Sequence, residues 1–297
     1  MRSRRGDLGP YVPPCAFLFL GADASLKRYR YQYLFVGVNM RRLDDRSERR
    51  YRSDRKADGE IRQRRGREVA MTNLEMLNAG RHAGLRLGDL PSGGPHFVQV
   101  VASEFVAAAA VCPIFLTKNA ETGKFYAGAM FGFEPGENLL EGEGTSRPLF
   151  RPLDLERLGF FIAADGAIAI DPAHARFAVP QGASLFEADG QASPTLRRIQ
   201  HALAQLNAGI PETDAFIQAL IEEGLVEPVD VDLSFDDGRS LSLTGLYTVS
   251  LDALGELDDA AVLGLFRRGY LQLIYAMNGS LKQVSRLAEL RNDKITG

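Results

Sequence analysis

The chain has 297 residues, of which 45% are hydrophobic and 25% are charged, and its formal net charge is −3. This composition excludes collagen-like, low-complexity and wholly disordered proteins, and the length allows one large or two small domains with a hydrophobic core. Two cysteines, Cys15 and Cys112, cannot build a disulfide framework, which favours a reducing compartment such as the cytoplasm.

The charge is divided unevenly along the chain. Residues 1–70 carry 18 basic and 9 acidic side chains, a formal charge of +9, whereas residues 71–297 carry 17 and 29, a formal charge of −12. We expect residues 1–70 to be an Arg-rich extension that is either disordered or translated from upstream sequence, with the natural start at Met71. Two alternatives stay open: a basic arm that contacts phosphates, and a targeting signal cleaved near Ala24, which would export the protein.

Residues 71–297 are expected to form a single globular domain of ordinary size. The most apolar window, Phe97–Leu116, contains Gln99, Glu104 and Pro113, which favours a core element over a membrane span. The acidic charge of this region argues against binding to nucleic acids or anionic membranes. The sequence therefore predicts a soluble domain without a membrane span, and it leaves the oligomeric state open.

Hairpins and helices alternate along this domain. Turn residues predict three β-hairpins, which pair residues 114–117 with 125–133, 158–163 with 167–171, and 229–235 with 240–249. Capping residues and apolar stripes predict helices over residues 103–112, 193–209, 213–224, 258–268 and 270–291. Since hairpins outnumber strand–helix–strand units, the predicted fold class is α+β: a mostly antiparallel sheet built from hairpins, helices packed on one face, and a helical C-terminus.

The segment Phe131–Leu139 carries the strongest functional signal. Glu134 and Glu137 stand among glycines next to Asn138, and paired carboxylates can serve acid–base chemistry or hold a cation where burial separates their pKa values. Glu104 is an acid inside an apolar stretch, so it lies either on the surface of an amphipathic helix or in the core with a partner. An arginine partner would be informative, because arginine is scarce in this domain.

Metal binding has weaker support. Asp171 and His174 could be two ligands, but two are too few for a site, and none of the histidines stands in a zinc-binding motif. The acidic run that begins at Asp230 fails as an EF-hand, because Phe235 occupies the position that requires glycine. These aspartates are instead expected to line the solvated face of a strand. No cofactor is predicted.

Several separated motifs resemble the bacterial SapC family. They are Phe131–Leu139, Pro113–Phe115 after Glu104–Phe105, Ala215–Ile217, Leu225–Pro228, Leu243–Val249, Arg268–Tyr275 and Ser280–Leu281. The resemblance covers roughly residues 71–293 and leaves out residues 1–70, which favours a start at Met71.

The resemblance implies a bacterial protein of a family named after a surface-layer association. Family members are often encoded beside TonB-dependent receptors, flavin-dependent halogenase-like proteins and cupin-like proteins, which implies an accessory role in nutrient uptake, with glycans as candidate nutrients. A peptide-transport permease shares the short name, but it needs several membrane helices, which this sequence lacks. The resemblance supplies no catalytic residues.

The leading hypothesis is a non-enzymatic accessory or binding protein for a protein or carbohydrate partner. Its binding residues would be the segment from Glu134 to Asn138 together with Tyr247, Tyr270 and Tyr275, since tyrosine joins an apolar ring to a polar tip. One alternative is a structural protein associated with a surface layer, which would require export.

The other alternative is an enzyme that uses carboxylates, alone or with a metal. Its site would lie near Glu104, Glu134 and Glu137, with Asp171 and His174 as further candidates. This hypothesis predicts that three or more of these side chains converge on one place in the folded chain.

Overall fold

The structure is a computed structural model, and it describes residues 38–41, 74–90, 94–141, 150–163 and 165–296. Of the Arg-rich extension it describes only the backbone of residues 38–41. The predictions for the rest of residues 1–70, including the basic arm, the targeting signal and the start at Met71, lie outside the described residues.

The described residues form an α+β fold in which every strand pairing is antiparallel. The strands are β1 Val38–Arg41, β2 Glu75–Met76, β3 Arg86–Leu87, β4 Phe97–Gln99, β5 Ile114–Lys118, β6 Phe125–Met130, β7 Phe160–Ile162, β8 Ile168–Ile170, β9 Ala183–Ser184, β10 Val226–Ser234 and β11 Ser240–Val249. The α-helices are α1 Ala79–His82, α2 Phe105–Ala109, α3 Leu153–Glu156, α4 Pro194–Glu222, α5 Leu251–Gly255, α6 Asp259–Arg267, α7 Tyr270–Ser280 and α8 Gln283–Thr296. The predicted fold class is confirmed, including the three hairpins and the helical C-terminus.

The backbone groups into two compact units. In the described residues, the first unit consists of residues 74–90 and 153–207, and the second consists of residues 38–41, 94–152 and 208–296, apart from the gaps given above. That residues 71–297 form a single domain stays a prediction.

The second unit contains a six-stranded sheet with the order β1-β10-β11-β5-β6-β4. Alternate residues of its strands point to one face, where Phe115, Val231 and Leu246 are buried together with Val284 and Leu287 of α8. Each such side chain contributes about 1.5–3 kcal/mol when it leaves water, so α8 is held on the sheet by this apolar face.

The first unit is built around a three-stranded sheet with the order β2-β8-β7 and the short pair β3-β9. Phe160 and Ile170 from this sheet are buried with Leu196, Ile199 and Leu203 from the N-terminal part of α4. The Ser193 hydroxyl accepts a hydrogen bond from the Leu196 backbone at 3.2 Å, which confirms the predicted cap of this helix.

One long helix, α4, replaces the two helices predicted over residues 193–209 and 213–224. Gly209 does not end the helix, and a Cβ there would lie 2.8 Å from a methyl carbon of Val101, so the glycine permits close packing. Thr213 does not cap a new helix either: its hydroxyl donates to the Gly209 carbonyl at 2.6 Å and accepts from the Ala102 backbone at 2.8 Å. Pro211 is tolerated inside the helix.

Two other helix predictions also need correction. The helix expected over residues 270–291 is divided into α7 and α8. The Ser280 hydroxyl donates to the Met277 carbonyl at 2.6 Å and accepts from the Ile114 backbone at 2.9 Å, so it competes with the helical pattern where α7 ends. The helix expected over residues 103–112 begins as a 3-10 turn, Ala102–Glu104, and continues as the short α2.

In the part of the chain that the structure describes, no helix combines the length and the apolar character needed to cross a membrane. The window Phe97–Leu116 instead contributes β4, α2 and part of β5 to the second unit.

Candidate functional site

The Gly-rich segment between β6 and residue 139 is a tight loop whose shape follows from its sequence. Pro135 and Gly136 occupy the two central positions of a β-turn, which the Glu137 backbone N–H closes on the Glu134 carbonyl at 3.0 Å. Gly136 has a φ of 84°, a left-handed conformation that favours glycine at this turn position. The turn therefore projects Glu134 and Glu137 from neighbouring points of one loop.

Arg291 of α8 interacts with both carboxylates of this loop. Its Nη2 donates to Glu134 Oε2, its Nε lies 3.6 Å from Glu137 Oε1, and its guanidinium carbon lies 4.4 Å from the centre of the Phe235 ring. The side chain of Arg291 is only 7% exposed, compared with 51% for Glu134 and 22% for Glu137. We call these four residues the Arg291 cluster.

Neighbouring residues of α8 contact the segments that surround the Arg291 cluster. The Asn292 side chain accepts a hydrogen bond from the Asp236 backbone at 3.2 Å, and Lys294 Nζ donates to the Asn138 carbonyl at 3.2 Å. The Asn138 side chain is occupied locally: Oδ1 accepts from the Leu140 backbone and Nδ2 donates to Glu141. Residues of α8 thus form hydrogen bonds with both the Gly-rich loop and the β10–β11 turn.

The chemistry of the Arg291 cluster is that of a structural clamp. Glu137 Oε2 also accepts from the Phe133 backbone at 2.7 Å, so both carboxylates have donors from within the chain. His96 borders this loop, because its carbonyl accepts from the Phe131 backbone at 2.7 Å; burial lowers the pKa of its imidazole, while the charge of Glu137 opposes that effect. A carboxylate whose donors are protein groups has less capacity left for a substrate or a cation.

Glu104 has a different structural role. It is buried in the 3-10 turn, and its Oε2 accepts from the Val101 backbone N–H at 3.0 Å, so the side chain closes the turn that leads into α2. Its charge adds to the effect of burial on Cys112, whose thiol pKa is raised to about 12. Of the two expectations for Glu104, burial with a partner is the correct one, and a backbone N–H is one such partner.

The three candidate tyrosines lie among different neighbours. Tyr247 packs edge-on against Phe125 at 4.8 Å, with Lys118 Nζ 5.3 Å from its ring centre. Tyr270 packs edge-on against Phe216 at 5.2 Å. Tyr275 on α7 is 58% exposed, so of the three it presents the most ring surface to solvent.

Asp171 and His174 lie in the first unit, where their polar groups shape the backbone. Asp171 Oδ1 accepts from the Ala173 backbone at 3.0 Å, and His174 Nδ1 accepts from the Arg176 backbone at 3.3 Å. Burial lowers the pKa of His174, Asp171 opposes this and Arg176 adds to it. Within the described ranges, no group of three or more His, Cys, Asp or Glu side chains is arranged to hold a metal ion.

Comparison with known protein families gives a family match. The family model described as SapC matches residues 77–287, which is more than half of the chain. The chain belongs to the SapC family. No curated protein and no solved structure matches it. Most of the Arg291 cluster lies inside the matched range of the SapC model, whereas Arg291 itself lies four residues beyond its end.

Two features of this SapC-family chain were not predicted from its sequence. Arg291 was missed because it is 157 residues away from Glu134 and stands in a helix whose polar residues look like a solvated face. The second feature is a set of exposed apolar side chains on α6 and α7: Leu263 is 44% exposed, Phe266 is 66% exposed and Tyr275 is 58% exposed. The three-residue spacing of Leu263 and Phe266 places them on one side of α6, a signal that helical periodicity could have given.

Proposed function

We propose that this SapC-family chain is a non-enzymatic accessory protein that binds a protein partner through the α6–α7 surface, defined as Leu263, Phe266 and Tyr275. The observation that carries the proposal is the exposure of three large apolar side chains on two helices that contact each other. Single exposed apolar residues are common, but a group of them is typical of an interaction site.

The inner sides of both helices support this proposal, because they are firmly packed. Leu265 of α6 and Ile274 and Met277 of α7 are fully buried. The exposure of the outer residues is therefore a property of a well-anchored helix pair. A rigid apolar surface loses little conformational entropy on binding, which favours affinity.

The edge of the surface also has the composition of a protein interface. Arg267 and Arg268 follow Phe266 directly, and the Arg268 guanidinium carbon lies 4.8 Å from the centre of the Tyr270 ring. Aromatic and arginine side chains are enriched at protein interfaces. The partner would offer an apolar groove with acidic groups at its border.

The carboxylates support a binding role more than an enzymatic one. Glu134 and Glu137 are engaged by Arg291, Glu104 closes a turn, and Asp171 and His174 lie in the other unit. The described contacts bring together Glu134 and Glu137, two of the three side chains that the enzyme hypothesis requires. A cytoplasmic location is part of the proposal and rests on the free thiol of Cys112 and the low cysteine content.

Native mass spectrometry of the full chain purified from its own cells tests the proposal. We expect a discrete added mass of a second protein, which Phe266→Ser removes and Val179→Ser keeps. Val179 is a suitable control because it is 40% exposed and lies in the first unit.

The other outcomes separate the alternatives. A second copy of the chain that Phe266→Ser dissociates would favour self-assembly, as expected of a surface-layer component. An added mass of a sugar would favour a carbohydrate-binding role, and an added mass that survives Phe266→Ser would contradict the assigned surface.

A further inference from the structure

Helix α7 has a solvent-facing side without charged residues. Its exposed residues are Gln272, Tyr275 and Gly279, and their spacings of three and four place them on one stripe. The opposite side is packed against the fold, and its fully buried residues are Ile274, Met277 and Ser280. A surface helix ordinarily carries charged residues on its solvent side, whereas α7 contains none along its whole length. Loss of charge around an exposed aromatic ring is typical of the centre of a protein interface.

Gly279 is a glycine inside a helix that the fold itself does not require. Glycine is less favourable than alanine in a helix interior, so its presence there needs a reason. At Gly209 of α4 the reason is internal, because a Cβ would lie 2.8 Å from a methyl carbon of Val101. At Gly279, among the described residues, no atom from outside the neighbouring backbone of α7 lies within 4 Å of such a Cβ. The missing side chain therefore leaves a gap on the exposed stripe, one turn from Tyr275.

A gap beside an exposed ring has the shape that a second helix requires. Side chains four residues apart form a ridge along a helix, and the ridge of another helix packs into the groove beside it. Tyr275 and Gly279 belong to one such ridge, so the glycine lowers the ridge and lets another backbone come closer at that point. An uncharged stripe also matches the apolar face of an amphipathic helix, which contacts its partner through residues three, four and seven apart.

We infer that the partner protein contacts α7 with an amphipathic α-helix, whose backbone approaches most closely at Gly279 and whose apolar side chains pack beside Tyr275. The inference rests on the proposed function, because it names the structural class of the partner at the α6–α7 surface. It assigns to Gly279 a role in binding that opposes its effect on the helix. Replacement of Gly279 should therefore stabilise the free chain and weaken the complex.

Two substitutions of different size in the full chain test this inference. The probe is the complex that the chain forms in its own cells, measured by native mass spectrometry, and the stability of each free chain is measured by thermal unfolding. We expect Gly279→Ala to raise the unfolding temperature by about 1–4 °C, because alanine favours the helix. The same variant should retain at least about fivefold less partner, and Gly279→Leu less still, because each side chain fills the gap that the partner's backbone uses.

The matched control is Gly84→Ala, which should leave the complex unchanged. Gly84 is exposed in the first unit, and a Cβ there would also have no described atom within 4 Å. Retention of the partner by both Gly279 variants, with its loss in Phe266→Ser, would overturn the inference and leave the proposed function intact. A partner that survives Phe266→Ser, or a wild-type chain without a partner, would contradict the proposed function and the inference together. Lower stability of Gly279→Ala would show that the fold needs this glycine and would also overturn the inference.

Photo-crosslinking tests the structural class of the partner segment separately. A photoreactive amino acid replaces Gln272 in one full-length chain and Tyr275 in another. We expect the crosslinked partner residues to lie three or four apart, as on one face of a helix. Crosslinks to every second residue of the partner would assign a β-strand, and crosslinks to a second copy of this chain would assign self-assembly. Either result would overturn the inference.

Discussion

The Arg291 cluster and the α6–α7 surface differ in whether the side chains that could bind a partner are already engaged by other residues of the chain. In the cluster, a guanidinium, two carboxylates and an aromatic ring engage one another. On the α6–α7 surface, Leu263, Phe266 and Tyr275 project large apolar groups into solvent. The comparison shows that an unusual sequence motif, here the Gly-rich loop, can have a structural role. The side chains that remain able to bind a partner are the exposed apolar ones.

The largest expected effect is the loss of Arg291. Arg291→Ala leaves Glu134 and Glu137 without their shared cation and removes the contact with Phe235. Loss of one partner of a fully buried ion pair costs about 3–5 kcal/mol, and the half-exposed Glu134 reduces this. We expect the free energy of unfolding to fall by about 2–4 kcal/mol in urea denaturation. Arg291→Lys should lose less, and an unchanged stability would refute the clamp.

A pH experiment on Asp230 adds a third case to the comparison, a carboxyl group whose ionised form is destabilised by burial. Its folded-state pKa of about 6 exceeds the ordinary value of 3.8, so the stability of the wild-type chain falls as the pH rises between these values. Asp230→Asn removes this dependence. Relative to wild type, we expect the variant to gain about 2 kcal/mol between pH 4 and pH 7. Parallel stability curves for the two proteins would contradict the expectation.

The effect of Phe266→Ser should appear in partner binding and not in folding. Truncation of an interface aromatic typically costs more than about 1 kcal/mol of binding energy, so we expect roughly tenfold weaker retention of the partner. The free energy of unfolding should change by no more than about 0.5 kcal/mol, because the side chain is largely exposed. A loss of stability that matches the loss of binding would show that Phe266 belongs to the core.

The smallest effect distinguishes the two glutamates of the cluster. Glu137 is less exposed than Glu134 and also accepts from the Phe133 backbone. We expect Glu137→Gln to cost about 1 kcal/mol and Glu134→Gln less, as measured by thermal unfolding. The reverse order would mean that the hydrogen bond from Arg291 to Glu134 contributes more than the contacts of Glu137.

The local structure was largely predictable from the sequence, whereas the long-range partners were not. The alternation of Val229, Val231 and Leu233 predicted β10, and Asp258 predicted the cap of α6, which it provides by accepting from the Ala261 backbone. The break after Ser280 was missed because it depends on a contact with Ile114, far away in the sequence.

The candidate site shows the same division between local and distant information. Glu134, Glu137 and Asn138 lie together because a single local turn determines their positions. Their partner Arg291 comes from the far end of the chain, and no local pattern marks it. Burial of Glu104 could likewise be suspected but not decided, because an amphipathic helix would have exposed it.

Site-specific photo-crosslinking in the native cells tests the central claim most directly. A photoreactive amino acid is placed at position 266 in one full-length chain and at position 134 in another, and the products are identified by mass spectrometry. We predict a discrete adduct with one protein from position 266 and none from position 134. An adduct from position 134 without one from position 266 would contradict the account and assign the partner site to the Gly-rich loop.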